Sequence, residues 1–252
     1  MVPTDELIAY TDSLLRVADF RDYCPNGLQV EGRPEIRRIL SGVTASRALI
    51  EAAVAAGADA LLVHHGYFWK GEDPRIRGIK RARLGLLLAN DINLIAYHLP
   101  LDAHPDLGNN AGLARLLGLE PEGTFGQGEG PELGWHGRME AALSPAAFGA
   151  LLEERLGHRP LHLPGGPGTI ARIGWCTGAA QGYLEAAAAL GLDAFVSGEV
   201  SEATAHAAAE LGIHYFAAGH HATERYGVQA LGGHLAERFG LVHEFADLYV
   251  PV

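Results

Sequence analysis

Residues 37–66 read RRILSGVTASRALIEAAVAAGADALLVHHG. An apolar segment from Ile36 to Val43, an Ala-rich run from Ser46 to Ala56 stopped by Gly57, and the apolar run before His64 give strand, helix, strand. Residues 171–200 read ARIGWCTGAAQGYLEAAAALGLDAFVSGEV and align on the first stretch without gaps. Arg38 falls on Arg172, Ile39 on Ile173, Glu51 on Glu185, Gly57 on Gly191 and Asp59 on Asp193. After each copy the chain makes another helix and strand, ending in INLIAYH at 92–98 and IHYFAAGH at 213–220. The expectation is an α/β protein of two α/β domains. Each half is one mainly parallel β-α-β-α-β unit, internally duplicated in the chain, with its sheet covered by helices.

The flanking segments fill in the plan. Leu7, Ile8, Leu14, Leu15 and Ala18 lie at helical spacing, with Thr4 as the N-cap, and a loop DYCPNGLQVEG follows at 22–32. The stretch PEGTFGQGEGPELG at 121–134 reads as a linker, and QGEGP at 127–131 is a poor phosphate loop because no helix start follows it. Ser144-Pro145 opens a helix that runs to Gly157, and GGPG at 165–168 is a second break. These features place a metal-site α/β domain at 1–125 plus 196–252 and a smaller α/β module at 126–195.

With 48% hydrophobic and 19% charged residues in a chain of 252, an ordered core is expected and disorder is not. The formal charge of −11, with 19 scattered basic residues of which only Lys70 and Lys80 are lysines, disfavours wrapping of a nucleic-acid duplex. A local positive pocket or a bound metal would escape such a count. The two cysteines, Cys24 and Cys176, fit neither a disulfide framework nor a zinc-finger spacing, and a reducing cytoplasm is the simplest location. No secretory signal and no membrane span is expected.

The 13 histidines become informative through where they cluster. Ligand-type residues stand at four strand ends: His64-His65, His98 with Asp102, Glu199, and His220-His221 with Glu224. In an open parallel sheet that edge is where ligands bind. Imidazole and carboxylate suit Zn, Mn, Fe, Co or Ni. Adjacent strand histidines point to opposite faces, so His64 and His65 serve one centre only if the chain turns there, which Gly66 permits, or if there are two metals. Two carboxylates able to bridge favour two divalent metals about 3.5 to 4 Å apart, a charge that would attract an anionic substrate. Asn109-Asn110 reads as a helix cap, and His104, His136, His158, His162, His214, His234 and His243 as surface or packing residues. Cys24 reads as a small buried apolar residue. Tyr67, Phe68 and Trp69 serve packing or a subunit contact, or else stack a nucleobase; Lys70 is a candidate phosphate contact.

GVTAS, VHHGYFWKG, YHLPLDAHPDLGNNAGLARLLGL, SGE and GHHATERYG, in this order, resemble the NIF-three-like family, whose members are named GTP cyclohydrolase 1 type 2 homologues. The resemblance runs from the DYCPNGLQVEG loop to the last helix. It implies a two-domain subunit in a toroidal homohexamer with a dinuclear metal site facing the internal cavity. Carried over by motif, the ligands are His64, His65, Asp102, His220 and Glu224, with Asp102 and Glu224 as bridges and His221 the less certain histidine of its pair. His98 is then a proton-moving residue beside the metals. The implied activity is hydrolysis, in the family's name the opening of a GTP ring by metal-bound hydroxide. A metal-handling or regulatory ring and a nucleic-acid-processing factor are the alternative readings.

Overall fold

A computed structural model describes residues 1–126 and 130–252. In chain order the elements are β1 (Val2–Pro3), α1 (Thr4–Leu14), β2 (Gly27–Val30), β3 (Glu35–Ile36), β4 (Arg38–Thr44), α2 (Arg47–Ala55), β5 (Ala60–His65), α3 (Gly78–Ala89), β6 (Asn93–Ala96) and α4 (Leu99–Ala103). There follow α5 (Asn109–Leu117), β7 (Leu119–Phe125), β8 (Gly134–Leu143), α6 (Pro145–Leu156), β9 (Leu161–Leu163), β10 (Ile170–Trp175), α7 (Leu184–Ala189), β11 (Ala194–Ser197), α8 (Glu202–Leu211), β12 (His214–Ala217) and α9 (His220–Thr223). The chain closes with α10 (Arg225–Phe239) and β13 (Val242–Phe245).

Two compact units result: Met1–Gly108 with Gly227–Leu248, and Asn109–Tyr226 with Tyr249–Val252. These boundaries differ from those expected from the sequence. The reason is sheet continuity: β11 and β12 pair parallel with β10 and keep residues 194–217 in the second unit. The expected linker begins and ends in strand, because β7 takes residues 121–125 and β8, its antiparallel partner, starts at Gly134, while residues 127–129, and with them the QGEGP reading, lie outside the described residues.

In the first unit the sheet order is β13-β4-β5-β6-β2, parallel except for β2, which runs antiparallel to β6. The pleat sorts the apolar run of β5 onto two faces. Leu61 and Val63 pack with Leu49, Ile50 and Leu87 of α2 and α3, and Ala60 and Leu62 pack with Leu7 of α1 and Val228 and Leu231 of α10. Burial on both faces explains why β5 reads as unbroken apolar sequence up to its histidines. Capping sets the helix ends. Ser46 accepts from Leu49 N at 3.2 Å at the start of α2, and Gly57 follows its end at φ 63. Thr4 is not the cap of α1: it is the first helical residue, and its hydroxyl donates to Arg33 O at 2.8 Å.

The second unit has the order β7-β8-β10-β11-β12-β9, with β10, β11 and β12 parallel to one another. Ile173, Trp175, Val196 and Phe216 pack on one side with Phe148 and Leu152 of α6, and Phe195 and Tyr215 on the other with Leu184, Ala187 and Ala208. The two aligned stretches make the same bonds. Asp59 accepts from the backbone N–H of Arg37 and Arg38 at 2.9 and 3.0 Å, and Asp193 accepts from Ala171 and Arg172, both at 2.8 Å. The equivalence is one of geometry at these positions. No helix among the described residues is long and apolar enough to cross a membrane.

Candidate metal centre

β5 delivers His64 and His65, β6 leads into Tyr97 and His98, and α4 carries Asp102, all at the C-terminal edge of the first unit's parallel strands. His64 is fully buried; its Nε2 lies 3.4 Å from Asp102 Oδ1 and its Nδ1 2.8 Å from Tyr97 O. A carbonyl can only accept, so His64 Nδ1 carries a proton. His65 has Nδ1 3.1 Å from the Thr44 hydroxyl. Although both histidines belong to β5, and the pleat sends them to opposite faces, their ring centroids are 4.6 Å apart. The His98 ring stands 5.1 Å from that of His64 and 5.8 Å from that of His65. One ring nitrogen from each of the three falls within 4.8 Å of the others.

Gly66 has a different purpose from the turn expected of it. A Cβ there would lie 2.1 Å from Gln29 Oε1, and Gln29 occupies that space to clamp Tyr67, accepting from its N–H at 2.7 Å and donating to its carbonyl at 3.1 Å. The aromatic run splits. Tyr67 is buried and donates its hydroxyl to Ala45 O at 2.7 Å; burial, only partly countered by the Arg83 charge, pushes that hydroxyl's pKa up to about 12. Phe68 is partly exposed at φ 64 with the Lys80 ammonium 5.0 Å from its ring centre. Trp69 stands edge-on to His98 at 5.0 Å and donates its indole N–H to Gly66 O at 3.2 Å.

Sequence reasoning missed Asp22. His98 Nδ1 is 2.7 Å from Asp22 Oδ1, and the His98 backbone N–H donates to Asn26 Oδ1 at 2.8 Å. Burial raises the Asp22 pKa, but the hydrogen bond and charge of His98, with donors from Asn26 and Tyr23, outweigh it and hold the carboxyl below its ordinary value. The available signal was a carboxylate and an amide flanking Pro25 in a loop with no hydrophobic period. Cys24, beside them, is buried; desolvation and the Asp22 charge push its pKa up to about 12, so it stays a thiol, as expected of a packing residue.

In the second unit His220 opens α9 and Glu224 ends it. His220 Nε2 is 3.1 Å from Glu224 Oε2, and Nδ1 is 2.7 Å from Glu199 Oε1, just beyond β11. Burial lowers the His220 pKa, but the hydrogen bonds and charges of Glu224 and then Glu199 override it and raise it to about 9. Of the pair, His220 is the one that reaches both carboxylates. Gly178, at φ 69, is required by Glu224: a Cβ there would lie 2.1 Å from Oε1.

The first unit thus brings together His64, His65, His98 and Asp102, and the second His220, Glu224 and Glu199. All four histidines have Nδ1 engaged by an oxygen: Tyr97 O, Thr44 Oγ1, Asp22 and Glu199. This outer layer is the one that orients metal-binding imidazoles and leaves Nε2 for the metal. The donor set is nitrogen and oxygen throughout, which suits a borderline or hard divalent cation. Four of the other histidines make hydrogen-bond contacts within the fold. His104 Nδ1 accepts from the N–H of Leu107 at 3.0 Å, His214 Nε2 donates to Pro167 O at 2.8 Å, and His234 and His243 each lie 2.7 Å from a hydroxyl, of Tyr10 and Ser41. Asn110 starts α5 but spends its side chain elsewhere, accepting from Thr177 N and donating to Leu133 O, both at 3.1 Å.

The chain is 56% identical over 245 residues, covering 97% of each chain, to a Pseudomonas aeruginosa protein named GTP cyclohydrolase 1 type 2 homolog. It is 55% identical over 251 residues to the protein of the same name from Allochromatium vinosum, covering 100% of this chain and 98% of that one. The solved structure of protein ybgI, described as of unknown function, superposes with a TM-score of 0.96 at 50% identity, and one from Thermus thermophilus with 0.90 at 36%, each over the full length of both chains. The profile of one family matches residues 2–249, and the chain belongs to that family, DUF34/NIF3 (NGG1p interacting factor 3).

Proposed function

We propose that His64, His65, Asp102, His220 and Glu224 hold two divalent metal ions and that the protein is a metal-dependent hydrolase acting on an anionic substrate. The observation that carries this reading is the common wiring of the histidines, each with Nδ1 on a protein oxygen. Such contacts hold each ring in place before any ligand arrives. Divalent metals, when bound, supply Lewis acidity towards water and towards the substrate's electrophilic atom. Asp102 and Glu224 would hold the ions together with the histidines, and two carboxylate charges against two divalent cations would leave a net positive charge that would attract an anion despite the acidic chain. His98 moves the proton. A nucleotide is the substrate class that the relatives' name suggests, with GTP as the first compound to try, and a homohexamer is the assembly that the resemblance implies.

The test is reconstitution. Metal-stripped protein is expected to be inert and to turn over GTP or a member of a phosphoester panel after loading with Mn or Zn, while His64→Ala and Asp102→Ala stay inert with an unchanged oligomer size in light scattering. If stripped and loaded protein are equally inert across the panel, the hydrolase reading falls. Transfer of the bound metal to an acceptor protein would then favour metal handling.

A further inference from the structure

The Asp22 carboxylate is saturated. Oδ1 accepts from the Tyr23 backbone N–H at 2.6 Å and lies 2.7 Å from His98 Nδ1; Oδ2 accepts from Asn26 Nδ2 and from the Leu99 backbone N–H, both at 2.9 Å. A carboxylate with its oxygens so engaged is poorly suited to bind a cation, although Asp22, Cys24 and His98 lie close enough together to suggest one. The Cys24 thiol, pushed up to about 12, adds no anionic ligand. What the arrangement does do is hold one ring. Asn26 fixes the backbone of His98, and Asp22 fixes its imidazole.

We propose that Asp22 is a positioning residue. By accepting from Nδ1 it locks His98 in the Nδ1–H tautomer, so that the ring offers the Nε2 lone pair, a proton acceptor, to whatever binds beside His64 and His65. An ionised carboxylate has no proton to give, so in the neutral ring the shared proton sits on His98 and Nε2 is bare. The Trp69 ring, edge-on at 5.0 Å, packs against the imidazole from another side. This assignment rests on the metal-centre reading for its purpose, but its geometry lies wholly within the first unit and can be tested without metal or substrate.

The tautomer is directly observable by ¹⁵N nuclear magnetic resonance of histidine rings in the full-length, metal-free protein. His98 is expected as Nδ1–H in the wild type. In Asp22→Asn the amide keeps the size of the side chain. Its NH₂ is best placed towards His98, whose ring can exchange tautomers, because on that side it faces one fixed donor, the Tyr23 N–H, whereas the other side holds two, the Leu99 N–H and the Asn26 amide already committed to His98. The proton of His98 therefore moves to Nε2. A merely structural Asp22 would lower the unfolding midpoint and leave His98 as Nδ1–H, and that result overturns the proposal. Should the variant not fold, the wild-type spectrum alone decides: Nε2–H there also overturns it. Elemental analysis of the same proteins, taken as purified before metal is stripped, separates the two readings. Metal bound by wild type with no tautomer change in Asp22→Asn sinks the positioning role alone, and absence of metal with the expected tautomer change sinks the metal centre alone.

Discussion

At the residue scale the centre depends on hydrogen bonds to the far side of each imidazole. His220 shows the consequence for proton linkage, since Glu224 and Glu199 raise its pKa to about 9 against an ordinary 6.5. A group with a raised folded-state pKa stabilises the metal-free fold fully below its unfolded value, and that contribution disappears as pH rises through about 9. Metal binding needs the neutral ring, so metal must displace this proton. Metal affinity should therefore fall by about tenfold per pH unit below the His220 pKa, with proton release in calorimetry at neutral pH. Affinity that is flat between pH 6 and 9 would contradict the assignment. Gly178→Ala is expected to displace the Glu224 carboxylate and to cost roughly 1–2 kcal/mol for a Cβ in the left-handed region, read as lost metal and a lower unfolding midpoint. The candidate ligands were legible because His and carboxylates recur at strand ends. Asp22 and the true purpose of Gly66 were not, because both depend on partners brought in by a distant loop.

At the element scale, the turns before β5 and β11 are pinned by Asp59 and Asp193. Burial raises the Asp59 pKa, but the Arg37 and Arg38 backbone N–H groups and Arg33 bring it below the ordinary value. The stability from this group is present above its unfolded pKa of 3.8 and is lost as pH falls through the lowered folded value. Asp59→Ala and Asp193→Ala should each cost about 1–3 kcal/mol through stranded N–H groups, measured by urea unfolding at neutral pH, with the Asp59 penalty smaller in acid. Equal stability of variant and wild type at neutral pH would contradict this. Helices α2 and α6 were legible from cap to stop, since Ser46, Ser144, Gly57 and Gly157 act locally. The β7–β8 hairpin was hidden by its own glycines and prolines. Pro121 is tolerated because β7 is an edge strand, where a missing N–H faces no neighbour on one side.

At the scale of the whole molecule, the fold class and the strand-helix alternation followed from periodicity alone, whereas the unit boundaries required pairing. Nothing in the local sequence of β11 and β12 says which sheet they join; their parallel register with β10 does. The site presents the same contrast. Its candidate residues were picked out by type and motif, and the oxygen partners of their rings emerged only in three dimensions. The proposed dinuclear centre has a direct consequence for metal stoichiometry. The measurement that tests it most directly is metal content per chain, by elemental analysis with equilibrium dialysis against Zn or Mn, for wild type, His64→Ala and His220→Ala. The account predicts two metals per wild-type chain and a loss in each variant. A wild type that retains less than one metal, or variants that keep the full complement, would contradict it.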